Sequence, residues 1–249
     1  MRLTSHARRA GLTLLVASML VAGLACSGGA SMAGTSEVVS SVPFGVEERL
    51  EYVLIDAGEE LGRGTLSLYR QEGGFLLEQR YTSASVEGAS DVSTARVDPE
   101  LRPASSERTI THADGRVDTY ALEYRLADER YVSTVTKDGD ADVREFNLRE
   151  HAYDNESALW LWRTLDLHAD FEARYVSVNP FERSQQTVDL SVTERTTIEV
   201  PAGTFEVWRL QILNGRATRI AWIEVAPPHR VIQWDNGASF LQLAAAPAN

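Results

Sequence analysis

Acidic residues alternate along residues 138–142, which read Asp-Gly-Asp-Ala-Asp and have the spacing with which a calcium-binding loop begins. An EF-hand loop also needs a glycine at its sixth position and a glutamate at its twelfth. The chain has Val143 and Arg149 at those positions. Because Asp-Gly is a strong turn signal, the pattern favours an acidic hairpin turn over a calcium site.

A second cluster of possible metal ligands consists of Asp166, His168 and Asp170. An extended backbone would place these three side chains on one side, and oxygen and nitrogen ligands suit a divalent metal. The cluster follows directly after a predicted helix, where polar loops are common, and no second histidine cluster accompanies it. A solvated loop is therefore favoured over a metal site.

The remaining groups that could act in catalysis are scattered along the chain. The other histidines of the domain are His112, His151 and His229, each in a different segment and each interpreted as a surface or turn residue. The chain contains no Gly-x-Ser-x-Gly, no His-Glu-x-x-His and no glycine-rich phosphate loop. The adjacent pairs Glu47-Glu48 and Glu59-Glu60 would face opposite ways on a strand, which indicates solubility rather than glycoside hydrolysis. The sequence favours a noncatalytic protein without a cofactor or metal, and a hydrolase is the third hypothesis.

The single cysteine, Cys26, stands at the end of an N-terminal leader. Three arginines precede an apolar run from Gly11 to Ala25, which is too short to span a bilayer comfortably and is typical of a signal peptide. The rest of the chain has no cysteine, so it has no disulfide and no thiol nucleophile. Residues 1–25 are therefore predicted to direct export.

The last residues of the leader, Gly23-Leu24-Ala25-Cys26, resemble the lipobox of bacterial lipoproteins. The resemblance implies that the Cys26 thiol is acylated and that Cys26 becomes the new N-terminus. Cleavage after Ala25 or after Ala33 without acylation would instead give a soluble exported protein. We expect a lipid anchor at Cys26 in the bacterial cell envelope, with the domain in the periplasm or outside the cytoplasmic membrane.

Residues 26–43 contain the anchor and a small, polar stretch that predicts a flexible tether, and residues 44–245 are long enough for a single β domain. Removing the leader leaves 21 basic against 36 acidic side chains. A domain this acidic should repel nucleic acid and anionic lipid headgroups rather than bind them. The expected partners are the membrane, through the lipid anchor, and a hydrophobic small molecule or lipid. The sequence does not indicate a particular protein partner.

Hydrophobic residues alternate with period two through most of the domain. Tyr120, Leu122, Tyr124 and Leu126 are predicted to point to one face of a strand, with polar residues on the other. Tight turns between strands are predicted at Asp114-Gly115, Asp138-Gly139, Asn214-Gly215 and Asn236-Gly237. At least ten strands in succession predict a mainly β fold, a large antiparallel curved sheet or barrel.

One helix is predicted over residues 156–165, where Ala158, Leu161, Trp162 and Leu165 recur at helical spacing. Asn155 or Ser157 could cap its start. The helix is expected to cover the sheet or plug one end of it. The tryptophans we single out as a possible wall of a ligand cavity are Trp162, Trp208, Trp222 and Trp234, with core packing as the alternative for each.

The C-terminal part carries a family resemblance. Val200-Pro201-Ala202-Gly203-Thr204-Phe205, the later Ala221-Trp222-Ile223 and residues 228–232 resemble an uncharacterised family of bacterial envelope proteins, over about residues 156–243. The resemblance implies a Val-Pro-Ala-Gly-Thr-Phe hairpin. It also implies a curved sheet similar in outline to the LolA/LolB lipoprotein carriers, which hold acyl chains in a hydrophobic hollow.

Two functions follow as hypotheses. The leading one is that the protein binds or carries a hydrophobic ligand such as a lipid or acyl chain. The rival is a structural or interaction module of an envelope complex, with a filled core and no ligand. An open apolar hollow would favour the carrier, and a filled interior would favour the module.

Overall fold

A computed structural model describes residues 34–245. Its fifteen strands are β1 (Glu47–Asp56), β2 (Glu59–Gln71), β3 (Gly74–Ser83), β4 (Ser90–Val97), β5 (Pro103–Thr111), β6 (Val117–Arg125), β7 (Arg130–Lys137), β8 (Asp140–Asn147), β9 (Ala152–Asp154), β10 (Glu172–Asn179), β11 (Ser184–Val200), β12 (Gly203–Asn214), β13 (Ala217–Glu224), β14 (Val231–Asp235) and β15 (Phe240–Leu243). A short 3-10 turn, Leu126–Asp128, precedes β7. No helix within residues 34–245 has the length and apolar character needed to cross a membrane.

All fifteen strands belong to one sheet in the order β8-β7-β6-β5-β4-β3-β2-β1-β15-β14-β13-β12-β11-β10-β9. Neighbouring strands are antiparallel, apart from β9 and β10, which are parallel. The chain meanders outward from β1 to β8, continues with β9 at the opposite end of the sheet, and meanders back from β9 to β15, which pairs with β1. Main-chain pairing does not join β8 to β9, so the sheet is strongly curved but not closed. The prediction of a mainly β, antiparallel curved sheet with one helix is confirmed.

Strand β6 shows how the alternating sequence forms this sheet. Asp118, Tyr120 and Leu122 are buried on the inner face of the strand, whereas Glu123 points to the outer face and is exposed. The four predicted tight turns all lie where one strand passes into the next. Leu126 departs from the prediction, because β6 ends at Arg125 and the 3-10 turn leaves Leu126 41% exposed.

The predicted helix is present and is enclosed by the sheet. We call the continuous helical stretch of Asn155–Ser157, Ala158–Leu161 and Trp162–Thr164 the inner helix. Its cap differs from both predicted caps: the Asp154 carboxylate, and neither Asn155 nor Ser157, accepts the Glu156 N–H at 2.7 Å. Each residue from position 156 to position 165 is buried.

The inner helix contacts strands on every side of the curved sheet. Its side chains or main chain bond to β1, β3, β10 and the segment before β14. Trp160 and Leu161 are 1% and 0% exposed, respectively. Burying such large apolar side chains stabilises the fold by about 1.5–3 kcal/mol each. The helix therefore fills the interior rather than covering a face of the sheet.

The described part of the predicted tether packs onto the inner helix and strand β10. The N–H groups of Ser40 and Ser41 donate to the Thr164 carbonyl at 3.0 and 3.1 Å, and Ser36 N–H donates to Arg174 O at 2.9 Å. Val38 is only 8% exposed and belongs to the main hydrophobic core. Residues 36–43 are thus docked at the end of the inner helix, and residues 26–33 lie outside the described part.

The Val-Pro-Ala-Gly-Thr-Phe sequence forms the turn between β11 and β12. Val200 pairs with Gly203, so Pro201 and Ala202 are the corner residues. The Ala202 N–H donates to Leu243 O at 3.1 Å, which attaches the turn to the last strand. Gly203 has a φ of +125°, a conformation that residues with a Cβ rarely adopt.

We predict that Gly203→Val lowers the free energy of unfolding by about 1–3 kcal/mol, because valine would be strained at this positive φ. Urea denaturation followed by circular dichroism measures the loss. Gly45→Val is the matched control, since the nearest atom to its added Cβ would be Glu47 O at 3.9 Å and its backbone is not left-handed. Equal stability of the two variants would refute the assignment of strain to Gly203.

Candidate functional site

Polar side chains gather inside the sheet around the first turn of the inner helix. This inner polar network comprises Gln79 and Tyr81 on β3, Asp91 on β4, Ser106 and Arg108 on β5, Tyr124 on β6, and Asp154 and Glu156 at the start of the helix. Six of the eight are less than 9% exposed. Such groups need partners, because burying an unpaired polar or charged group is costly.

Arg108 is the central cation of the network. Its Nε and Nη2 atoms donate to the two carboxylate oxygens of Asp91 at 2.9 and 2.5 Å. Its Nη1 lies 3.9 Å from Glu156 Oε1, and the Phe181 ring centroid is 5.7 Å from the guanidinium. Desolvation alone would lower the pKa of Arg108, but the Glu156 and Asp91 carboxylates outweigh it and raise that pKa. One arginine therefore balances two buried carboxylates.

Asp154 is the most completely bonded carboxylate of the network. Its Oδ2 accepts hydrogen bonds from Ser106 Oγ at 2.5 Å and Tyr124 Oη at 2.6 Å, while its Oδ1 caps the helix. Burial, and next the charge of Glu156, raise the pKa of Asp154 from 3.8 to about 6, although the hydrogen bonds oppose this rise. Burial together with Asp154 also raises the pKa of Tyr124.

A hydrogen-bonded chain ties the helix to β3. Tyr81 Oη donates to Gln79 Oε1 at 2.8 Å, and Gln79 Nε2 donates to the Glu156 carbonyl at 2.7 Å. Burial is the largest cause of the raised pKa of Tyr81, so its hydroxyl stays protonated as a donor. Among the described residues, Glu156 Oε1 is one of the buried side-chain atoms without a hydrogen-bond partner.

A second ion pair, partly buried, holds the other end of the helix. Arg163 is 2% exposed and donates to the two carboxylate oxygens of Glu48 on β1 at 2.6 and 2.9 Å. Its Nη2 also lies 3.3 Å from Pro228 O, and its guanidinium stacks on Phe44 at 4.9 Å. Arginine–carboxylate pairs of this bidentate kind are directional as well as strong. The inner helix is thus fixed at both ends.

This arrangement positions a helix and presents no reactive group to solvent. The network includes a carboxylic acid with a pKa near neutrality, which in an open cleft would be a candidate general acid. Here Asp154 is 1% exposed and its hydrogen-bonding capacity is used by neighbouring protein atoms. The chemistry that the geometry supports is the specific docking of the inner helix.

The structure brings two of the four selected tryptophans together. The rings of Trp162 and Trp234 lie 6.1 Å apart inside the sheet. Trp208 pairs with Ile223 and Trp222 pairs with Arg209, so Trp208 and Trp222 face opposite sides of the β12–β13 ladder. Each is half-buried beneath an arginine: Arg195 over Trp208 at 5.4 Å and Arg209 over Trp222 at 5.9 Å. These four residues do not line one common space.

The acidic clusters and histidines occupy turns, loops and strand ends. Asp138-Gly139 is the β7–β8 turn, and the Asp142 carboxylate bonds to Arg144 and Arg183. The loop from Asp166 to Asp170 follows the inner helix. Within residues 34–245, His, Cys, Asp and Glu side chains form no group of three that could hold a metal ion. Cys26 lies outside the described residues.

The three scattered histidines lie in different surroundings. His112 Nε2 is 3.1 Å from Asp118 Oδ2, and His229 Nδ1 is 3.1 Å from Glu224 O. His151 is in the link between β8 and β9. His151 also lines a half-open cleft of about 500 Å³ with mixed charge, together with Glu37, Arg102, Leu126, Glu129, Leu148, Arg149, Glu150, Ala152 and Tyr153.

The sequence contains a signal for the inner polar network, in polar residues at inward strand positions. Gln79, Asp91 and Arg108 occupy inward positions of their strands, where alternation predicts apolar residues. A polar residue at such a position needs a partner from elsewhere in the fold. Asp154 and Glu156 provide it, but their meeting with β3–β6 depends on long-range topology.

We predict that Arg108→Met lowers the free energy of unfolding by about 3–5 kcal/mol, since it leaves Asp91 and Glu156 buried without a cation. Chemical denaturation measures the change. Arg195→Met is the control: its pair with Glu206 is about half exposed and should be worth at most about 1 kcal/mol. Similar small losses of unfolding free energy in both variants would show that the buried Arg108 ion pair stabilises the fold no more than an exposed pair does.

The pKa of Asp154 predicts a pH dependence of stability. Between about pH 4 and pH 6 the folded protein retains the Asp154 proton that the unfolded chain has lost, so this group's contribution falls as the pH rises through that window and is constant above it. Asp154→Asn should remove that component from stability measured by urea titration at each pH. Asp128→Asn, at an exposed position, should retain it. An unchanged slope in Asp154→Asn would contradict the assignment.

Comparison with known proteins places the chain in a family. No curated protein matches it. Among solved structures it is similar to a beta-barrel-like protein of a domain of unknown function, DUF1849, from Brucella abortus, with 11% identity, a TM-score of 0.46, and coverage of 83% of this chain and 98% of that chain. The model of the family described as Protein of unknown function (DUF3108) matches residues 49–234, which include β2–β13 and the whole inner polar network. The chain therefore belongs to the DUF3108 family, whose function is unknown.

Proposed function

We propose that the protein is a noncatalytic interaction module of the bacterial cell envelope, exported and lipid-anchored at Cys26, which binds its partners through the outside of the sheet. The observation that carries this proposal is the filled interior. The inner helix occupies the concave side of the sheet and is buried from Glu156 to Leu165. A ligand carrier of the LolA/LolB kind needs an apolar hollow at that place.

The packing of the inner helix supports the proposal that this helix occupies the interior of the sheet permanently. Trp160, Leu161 and Trp162 are 1%, 0% and 4% exposed and belong to the main core. Arg108 and Arg163 hold the helix near its two ends through a buried carboxylate, Glu156, and a partly buried one, Glu48. Admitting an acyl chain would require breaking these contacts, and removing one partner of a buried ion pair costs about 3–5 kcal/mol.

The half-open cleft is also unlike a lipid pocket. Charged side chains of both signs line it, among them Arg102 and Arg149 opposed by Glu37, Glu129 and Glu150. An acyl chain gains affinity from apolar surface, and burying it against these charged groups would be unfavourable. This cleft is better suited to polar groups on a partner than to a hydrocarbon chain.

The proposed anchor is supported by the leader sequence and its lipobox-like end. Within residues 34–245 the first main-chain contact with the sheet is made by Ser36, which follows the proposed anchor Cys26 by ten residues. Ten residues span at most about 33–36 Å when fully extended. The domain would therefore work near a membrane surface.

Native mass spectrometry of the full-length protein purified from bacterial envelopes tests the proposal. We expect an intact mass that includes acyl chains on Cys26 and, after gentle activation, no further bound molecule. A stoichiometric lipid or other apolar molecule, identified by organic extraction, would overturn the module and support binding or carriage of a hydrophobic ligand. An unmodified Cys26 would overturn the anchor alone. Acylation changes the covalent mass of the chain, whereas a bound molecule is detected as a noncovalent complex that dissociates on activation.

A further inference from the structure

Strand β8 is an end of the sheet that the proposed function does not use. Among the strands of residues 34–245, its single neighbour is β7. Seven of its eight residues are exposed, and Val143 is 60% exposed. The main-chain groups on the outer edge of such a strand can pair with another strand. The opposite end strand, β9, is buried, so the two ends of the sheet differ in what they offer to a partner.

The charges of β8 complement a second copy of the same strand. Asp142 and Arg144 flank Val143, and their side chains form an ion pair at 2.9 Å. In an antiparallel pair centred on Val143, Asp142 of each copy lies opposite Arg144 of the other. Directly opposed unlike charges stabilise a strand pair, whereas an edge of uniform sign would repel its own copy. The strand is therefore self-complementary in one register.

Arg183 holds β8 in a defined position for such pairing. It lies in the β10–β11 turn, and its Nη1 donates to Asp142 Oδ2 at 2.6 Å while its Nη2 donates to Asp142 O. Its Nε donates to Ser133 Oγ on β7 at 3.1 Å. Asp142 forms a hydrogen-bonded pair with Val135 of β7, so the main-chain groups of the next residue, Val143, are directed away from β7 toward the open edge. A strand that is already ordered loses less entropy on binding.

We propose that two copies of this chain associate through their β8 strands, paired antiparallel about Val143, so that the two sheets become continuous across a twofold axis. This inference does not depend on the proposed function, because β8 lies outside the filled interior. A closed isologous contact of this kind stops at a dimer. One strand pair buries little surface, so the dimer is expected to be weak and to exchange with the monomer.

Cross-linking at the twofold centre tests the proposal. Residues opposite each other in an antiparallel pair have Cα atoms about 4.5–5.5 Å apart, within the range that a disulfide spans. Full-length Val143→Cys in mild oxidant at physiological salt should form a dimer that reductant dissolves, and the cross-linked fraction should be several-fold above that of the wild-type protein. Cys26 is the single cysteine of the wild-type protein, so the wild-type sample measures how much dimer forms through Cys26.

Two matched variants make the result decisive. Val117→Cys places a thiol on another exposed valine, 46% exposed, within a strand that has two neighbours, and should give no more dimer than the wild type. Adding Arg144→Asp to Val143→Cys opposes like charges and should reduce the cross-linked fraction. Cross-linking equal to that of Val117→Cys, or unaffected by Arg144→Asp, would overturn the proposal.

Sedimentation velocity is a second test. The sedimentation coefficient of the wild-type protein should rise with concentration, and Arg144→Asp should abolish that rise. A monomer at every concentration would also overturn the proposal.

Discussion

The structure depends on enclosing a helix inside a sheet while satisfying the charges at both of its ends. A helix surrounded by protein can bury apolar side chains in every direction, as Leu159, Trp160 and Leu161 do. Its ends carry main-chain groups that lack helical partners, and these need capping or polar neighbours. Asp154 caps the first turn and Gln79 takes up the Glu156 carbonyl. The polar groups on the inner wall follow from this need.

Apolar burial and buried charge contribute differently to this arrangement. Burying the large side chains of the helix supplies the free energy, at about 1.5–3 kcal/mol each. A buried ion pair gains little net stability, because desolvating two ions offsets most of their attraction. The pairs of Arg108 with Asp91 and of Arg163 with Glu48 are directional, however, and the first pair holds the Arg108 guanidinium 3.9 Å from Glu156 of the helix. We infer that they select one position of the helix from the several that apolar packing alone would allow.

Local sequence patterns predicted the sheet well and its interior less well. Alternation along β6 and the Asp-Gly and Asn-Gly pairs report on neighbours in sequence, so strands, turns and the existence of the helix were predictable. The cap was misassigned by one or three positions because capping depends on where the chain turns from β9 into the helix. The network was missed because Arg108 and Glu156 are 48 positions apart and only the fold brings them together. The packing of Val38 is likewise invisible in a small, polar segment.

The two ends of the sheet are used differently. A β-barrel closed by main-chain pairing has no free edges, but here β9 turns inward and continues into the inner helix, while β8 stays at the surface. Side chains of the β10–β11 hairpin then bridge to β8: Arg183 reaches Asp142, and Gln185 donates to Asn147 O at 2.8 Å. The chain thus uses one end of its sheet to fill the interior and leaves the other end exposed. The same arrangement places the inner helix inside the sheet and leaves an edge at which another strand can add.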